Sequence, residues 1–75
     1  MKITLKLTGG LAHKMGFSHR ELDVDPGTTI GDLLDATGID RTWPMIIARN
    51  GWAVKREDQL EPGDRVFVSP VFSGG

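Results

Sequence analysis

The first residues of the chain alternate apolar and polar side chains, which is the pattern of a half-buried β-strand. In residues 1–7, Ile3, Leu5 and Leu7 share one face of such a strand. The alternation returns in residues 18–24, so the two segments predict a β-hairpin. The connecting residues 9–17 are bracketed by glycines, and we expect a loop there with room for one short helical turn.

A helical period follows the turn signal Pro26-Gly27. Its stripe is made by Ile30, Leu33, Leu34 and Thr37. Thr28 or Thr29 suits the N-cap, and Gly38 suits a left-handed C-terminal position. The pattern therefore predicts one helix, over residues 29–37. A helix this short needs a sheet to pack against.

Further strands are predicted beyond this helix. Residues 45–49 form an apolar run that ends at Asn50-Gly51, a turn signal that favours positive φ. Residues 52–54 are candidates for a short edge strand, and residues 65–68 follow the turn Pro62-Gly63-Asp64. We expect the first and last strands to pair in parallel at the sheet centre, because their connection passes through the helix. The predicted fold class is α+β, with one helix across a mixed four- to five-stranded sheet in ββαββ order.

Composition narrows the function classes. With 75 residues, the chain has room for one small domain, and with no cysteine it cannot hold a disulfide or a thiolate metal site. A secreted domain of this size usually needs such staples, so we expect a cytoplasmic protein. Nine Lys and Arg against ten Asp and Glu argue against nucleic acid or an anionic membrane as the partner. No glycine-rich phosphate loop is present, so the chain is not expected to bind ATP itself.

The elements and the ending together resemble the ubiquitin-like β-grasp sulfur carriers of the ThiS/MoaD family. The resemblance rests on the Thr-Ile-x-x-Leu-Leu helix at 29–34, on Asn50-Gly51, on Pro62-Gly63-Asp64 and on the final segment Ser-Pro-Val-Phe-Ser-Gly-Gly, residues 69–75. Family members commonly place one residue between Pro-Val and Gly-Gly, whereas Phe72 and Ser73 both stand there in this chain. Arg49 occupies a position that is usually apolar in the family.

The resemblance implies a β-grasp domain over residues 1–71 and a flexible tail over residues 72–75. It also implies a carrier and co-substrate with no active site and no bound cofactor of its own. An adenylating enzyme of the ubiquitin-activating type would use ATP to activate Gly75, and a sulfur donor would convert Gly75 to a thiocarboxylate. A synthase subunit would accept the sulfur. Ser73 and Gly74 would thread the tail into the partner's active site.

A terminal Gly-Gly suits this chemistry for physical reasons. A free chain-terminal carboxylate has a pKa near 3.5, so at neutral pH it is ionised and unreactive until it is activated. Activation takes place inside another protein, so the tail must enter a narrow channel. Gly74 and Gly75 have no Cβ, which allows the walls of such a channel to approach the backbone closely.

A docking surface is predicted near the root of the tail. Phe67 points away from the face that carries Val66 and Val68, so it lies on the open side of the sheet. Ile46 points the same way if Ile47 faces the core. With Phe72 and Val71, these residues form an exposed apolar patch, which is typical of a partner-binding surface.

Other functions remain open at this stage. A ubiquitin-like modifier, joined through Gly75 to lysines of other proteins, needs the same tail, and so the sequence does not separate it from a carrier. A plain β-grasp interaction module is a third possibility, and the sulfur pathway (molybdopterin, thiamine or tRNA thiolation) is also open.

His13 and His19 are expected in solvent, while Trp43 and Trp52 are expected to fill the core or cover its edge. Arg49 forms either a local ion pair or one with a partner.

Overall fold

Five strands and two helices follow one another in residues 1–71, the part of the chain that the computed structural model describes. In chain order they are β1 (Lys2–Leu7), α1 (Gly9–Met15), β2 (His19–Asp23), α2 (Ile30–Thr37), β3 (Met45–Arg49), β4 (Trp52–Ala53) and β5 (Arg65–Pro70). The strands form one mixed sheet in the order β2-β1-β5-β3-β4. The predicted α+β class is therefore confirmed.

The first and last strands pair in parallel inside the sheet, as the sequence predicts. Leu5 lies opposite Val66, and Leu7 lies opposite Val68. These four side chains are buried in one hydrophobic core. On its other side, β5 pairs antiparallel with β3. The strand that leads to the end of the chain is thus hydrogen-bonded along both edges.

Helix α2 has the predicted caps. The Asp32 backbone N–H donates to Thr29 Oγ1 at 3.1 Å, and the Thr29 N–H donates to Asp32 Oδ2 at 3.2 Å. This reciprocal capping box satisfies two of the free N–H groups at the helix start. Gly38 ends the helix with φ at +92°, a left-handed conformation that glycine adopts without a steric penalty. Ile30 and Leu34 enter the core with no exposed surface.

Helix α1 corrects the predicted single helix and the ββαββ order. Residues 9–15 form a helix of seven residues where a loop with one short turn was expected. Leu11 is buried in the core, and Ala12 and Met15 pack against it. Gly16 closes the helix by donating its N–H to the Ala12 carbonyl oxygen at 3.0 Å. Burial of this apolar side stabilises a helix that its two leading glycines disfavour.

The second half of the chain differs from prediction only in its bounds. Asn50 and Gly51 both have positive φ, 51° and 88°, as the turn signal predicts. Strand β5 extends to Pro70, two residues past the predicted end, because Ser69 and Pro70 pair with Ile46 and Met45.

No helix within residues 1–71 is long and apolar enough to cross a bilayer. The predicted tail, residues 72–75, lies outside the described residues and stays a prediction.

Candidate docking surface at the chain end

Strand β5 delivers the chain end from a fixed position. Val66 and Val68 anchor it in the core with no exposed surface. One residue beyond the strand, the Val71 N–H still donates to the Pro44 carbonyl oxygen at 3.1 Å. The position of the chain is therefore held by the sheet as far as Val71. Four residues to which the sequence analysis assigns roles lie outside the described residues: Phe72, Ser73, Gly74 and Gly75.

The sheet face opposite the helices carries two of the predicted apolar side chains, Phe67 and Ile46. We call this surface the open face and define it by Lys6, Ile46, Ala48, Phe67 and Ser69. Lys6, Phe67 and Ala48 lie side by side on adjacent strands, as the strand registers show. Ile46 lies opposite Ser69 and is 58% exposed, while Phe67 is half-buried. The open face therefore reaches the end of β5 from which the chain leaves.

Lys6 gives the open face a positive charge, and the sequence reasoning missed it. Its Nζ atom lies 5.5 Å from the centroid of the Phe67 ring, within range of a cation–π contact. Next to this pair, Thr8 Oγ1 donates to Ser69 Oγ at 2.9 Å. The alternation of β1 shows Lys6 on the polar side, but only the parallel register with β5 places it beside an aromatic ring. The face thus combines exposed apolar surface with one cation.

The two tryptophans differ in their surroundings. Trp43 is half-buried and packs against the core, as expected. Trp52 is 78% exposed, so the expectation that it fills the core or covers its edge is wrong. The reason is the shape of the sheet: β4 has two residues and forms its outer edge, so no element lies beyond Trp52. Trp52 pairs with Arg49 in the half of β3 farther from the chain end.

Arg49 forms a local ion pair, which resolves the two alternatives left open for it. Its guanidinium donates to the Gln59 carbonyl oxygen at 2.6 Å and lies 3.6 Å from Asp64 Oδ2. Asp64 is only 4% exposed, and its carboxylate also accepts from the Glu61 N–H at 2.8 Å and from Asn50 Nδ2 at 3.2 Å. The polar cluster ties the β3–β4 turn to the turn that starts β5. Its role is to position β5.

A groove lies beside Val71, between α1, the residues just before β3 and the end of β5. We call it the end groove. Its volume is about 310 Å³, and its lining includes Leu11, Lys14, Trp43, Pro44, Pro70 and Val71. Lys14 Nζ sits 4.2 Å from the centroid of the Trp43 ring. The end groove is mostly apolar, with one cation at its wall.

The loop that carries Trp43 is held by hydrogen bonds to the Asp40 carboxylate. Asp40 Oδ1 accepts from the Thr42 N–H at 2.8 Å and from its hydroxyl at 2.7 Å. The hydrogen bond from the Thr42 hydroxyl, followed by that from the N–H, holds the pKa of Asp40 below its ordinary value. The Trp43 N–H donates to the Asp40 carbonyl oxygen at 3.1 Å. These bonds give the wall of the end groove a defined turn.

The histidines lie in solvent, as predicted. His13 is exposed on α1, and His19 is exposed on β2. Within residues 1–71, no three side chains of the His, Cys, Asp and Glu types come together as metal ligands would.

Comparisons with known proteins agree with this architecture. The model of the ThiS family matches residues 5–75. A structure of the Haloferax volcanii small archaeal modifier protein 1 is 27% identical, with 95% of this chain and 98% of that chain covered and a TM-score of 0.82. A putative molybdopterin converting factor subunit 1 from Pyrococcus furiosus is 21% identical over 96% and 99% of the two chains, with a TM-score of 0.83. In a complex of subunits 1 and 2 of molybdopterin-converting factor from Helicobacter pylori, the similar chain is 16% identical, with full coverage of both chains and a TM-score of 0.68.

Proposed function

Since the chain belongs to the ThiS family, we propose that it is a sulfur carrier protein that acts through the carboxylate of Gly75. An ATP-dependent enzyme of the ubiquitin-activating type adenylates this carboxylate. A sulfur donor then converts it to a thiocarboxylate, which supplies sulfur to a synthase subunit in the biosynthesis of a cofactor of the molybdopterin or thiamine type. The protein itself is a co-substrate, and the catalytic groups belong to its partners.

The proposed steps follow from the chemistry of a carboxylate. One carboxylate oxygen attacks the α-phosphorus of ATP, so that pyrophosphate leaves and an acyl-adenylate forms. A sulfide-level sulfur then attacks the acyl carbon, AMP leaves with its oxygen, and the thiocarboxylate remains. Neither step needs an acid or base from this chain, because the adenylate is already an activated leaving group.

The observation that carries the proposal is the firm support of β5 up to Val71. From Val71 to Gly75 the chain adds four residues, which span at most about 14 Å when extended. A fixed base and a short reach suit delivery of the chain end into a deep partner site. The pair Gly74-Gly75 brings no side chain to the last and narrowest part of that path.

We assign the open face to partner docking. Ile46 and Phe67 supply apolar surface beside the chain end, and Lys6 supplies a cation for a partner carboxylate. A surface with an apolar centre and a charged rim is typical of a protein interface. The similar Helicobacter pylori chain is present with its partner subunit in that complex, which supports a synthase-type partner here. Adenylating enzyme and synthase subunit would use the open face in turn.

A second candidate function is protein modification. The similarity to the small archaeal modifier protein of Haloferax volcanii favours it. The Nζ amine of a lysine on another protein would then attack the acyl carbon of the Gly75 adenylate. An isopeptide bond would form as the bond from the acyl carbon to the AMP oxygen breaks, and AMP and a proton would leave. The two functions share the activation step and differ in the nucleophile that follows.

Mass spectrometry on protein from its native host tests both functions. Intact protein that carries sulfur in place of one carboxylate oxygen supports the carrier, and branched peptides that end in Gly75 on other proteins support the modifier. The matched variants are a deletion of Gly75 and Ser73→Ala. We expect the deletion to abolish either product without a change in fold, and Ser73→Ala to keep it. If the deletion variant still supports the pathway in vivo, the protein is an interaction module and the proposal is wrong.

A further inference from the structure

The end groove lies on the core side of the sheet, apart from the open face. Pro70 pairs with Met45 and points to the same side as Val68, which is buried in the core. Phe67 and Ile46 point to the opposite side. We propose that the end groove is a further docking site, which receives one large apolar side chain of a partner polypeptide that carries a carboxylate next to it. This site is separate from the chemistry at the chain end, so it does not depend on the proposed function.

The size and lining of the groove fit one apolar side chain. Its volume of about 310 Å³ is at the lower limit of ligand pockets, so it holds a single side chain better than a cofactor. Leu11, Trp43 and Pro70 offer aliphatic and aromatic surface to such a side chain. Two further lining residues, Pro44 and Val71, are exposed. Removal of this apolar surface from water would supply most of the binding free energy.

Lys14 makes the groove selective for an acidic partner. Its Nζ atom lies 4.2 Å from the centroid of the Trp43 ring, and this cation–π contact holds the ammonium group beside the apolar lining. Lys14 is exposed, and it forms no salt bridge with any residue in 1–71. Asp40, on the loop that carries Trp43, already accepts two hydrogen bonds from Thr42 at one oxygen. The charge of Lys14 is therefore available to a carboxylate that arrives with the apolar side chain.

A segment in the end groove would hold the domain close to the end of β5. Pro70 and Val71 both line the groove, and they are the last two described residues of the chain. Because the open face lies on the other side of the sheet, a segment in the groove leaves that face accessible. Two partners would thus be able to bind the domain together, one on each side of β5.

A solution NMR titration of the isotopically labelled full chain with blocked tetrapeptides tests the site. The probe is acetyl-Gly-Phe-Glu-Gly-amide, and its matched controls carry Gln in place of Glu or Ala in place of Phe. We expect the probe to shift the resonances of Leu11 and Trp43 with a dissociation constant on the order of 1 mM, and the Ala control to give no saturable shift. The Gln control is expected to bind about two- to fivefold more weakly, which is the range of an exposed ion pair.

Variants of the chain assign this difference to one cation. Lys14→Gln is expected to weaken binding of the Glu probe about two- to fivefold and to leave binding of the Gln control unchanged. Lys55→Gln is the matched variant, because it removes the same charge from an exposed residue that does not line the groove. It is expected to keep the original affinity for both peptides.

Four results would overturn the inference. If no peptide shifts the groove resonances, the groove does not receive such a segment. If the Glu probe and the Gln control bind equally, Lys14 does not select an acidic partner. Nuclear Overhauser contacts from the Trp43 indole to residues beyond Val71 that persist in the presence of the probe would assign the groove to the chain's own end. Contacts that disappear on dilution of the free protein would assign it to a second copy of the chain.

Discussion

Asp64 offers a quantitative test of how the start of β5 is held. Its carboxylate is almost fully buried and accepts from the Glu61 N–H and the Asn50 amide, with the Arg49 guanidinium 3.6 Å away. The substitution Asp64→Ala removes the acceptor and leaves these donors in place. Because the hydrogen bonds are part-buried, solvent replaces them only in part.

The expected loss of unfolding free energy follows from the number of donors that lose their acceptor. A fully buried donor without a partner costs about 1–3 kcal/mol, and the two donors left here are part-buried, so each is expected to cost about 1.5 kcal/mol. The Arg49 contribution is smaller, because its side chain is 27% exposed and it keeps its bond to the Gln59 carbonyl. We expect the free energy of unfolding to fall by about 3 kcal/mol. For a domain of this size the total free energy of unfolding is about 4–11 kcal/mol. The Tm would fall by about 12–24 °C.

Urea unfolding followed by tryptophan fluorescence measures this change. The matched control is Asp40→Ala, which also removes an aspartate that accepts two hydrogen bonds, but at an exposed position where water replaces the lost partner. We expect the control to lower the free energy of unfolding by less than Asp64→Ala does. An Asp64→Ala variant no less stable than the Asp40→Ala variant would refute the argument that burial sets the cost.

Three further predictions address the open face, a buried glycine and an acidic turn. Ile46→Asp is expected to weaken binding to the proposed adenylating enzyme at least about tenfold, or about 1.4 kcal/mol, with the free energy of unfolding changed by no more than about 0.5 kcal/mol. The control is Trp52→Ser, at a more exposed apolar site far from the chain end. Equal losses of affinity for the two variants, measured by calorimetry, would argue against the assigned surface. Gly31→Ala is expected to destabilise α2 although alanine favours helices, because its Cβ would lie 3.2 Å from the Arg56 carbonyl oxygen, which the Gly31 N–H already binds at 2.8 Å. Gly10→Ala in the exposed start of α1, by contrast, should raise the urea midpoint, and a rise for both variants would contradict the steric argument. The folded-state pKa of Asp40 is lowered from its ordinary value of 3.8. Its ionised carboxylate therefore stabilises the folded protein at pH values above 3.8, and this contribution is lost as the pH falls through the folded-state pKa. NMR titration of the Thr42 amide should show a midpoint below 3.8 that is absent in Asp40→Asn, and a midpoint above 3.8 would reverse the sign.

Local signals in the sequence predicted the parts of the fold that depend on neighbouring residues. The alternation in β1 and β5, the caps Thr29 and Gly38, and the positive φ at Asn50 each arise from short-range geometry, and the structure confirms them. Exposure of Ile46 followed from the same alternation. These features need only the periodicity of a strand or the conformational limits of a cap or turn.

Features that depend on distant partners could not be read in the same way. Helix α1 begins with two glycines, so its propensity is poor, and it forms because Leu11 reaches a core built from both ends of the chain. The partner of Arg49 is Asp64, which a separate turn brings to it. Exposure of Trp52 depends on its place at the sheet edge, where no further strand covers it.

Parallel pairing of β1 with β5 determines how the domain responds to mechanical force at its ends. Both strands run in the same direction, with Thr4 opposite Arg65 and Leu7 opposite Val68. A pull on Gly75 against the start of β1 therefore loads the hydrogen bonds between the two strands in shear, so that many must break together. A pull across the sheet at the edge strand β2 would instead open its bonds one after another. The domain would thus stay folded while a partner of the proposed kind draws on the end of the chain.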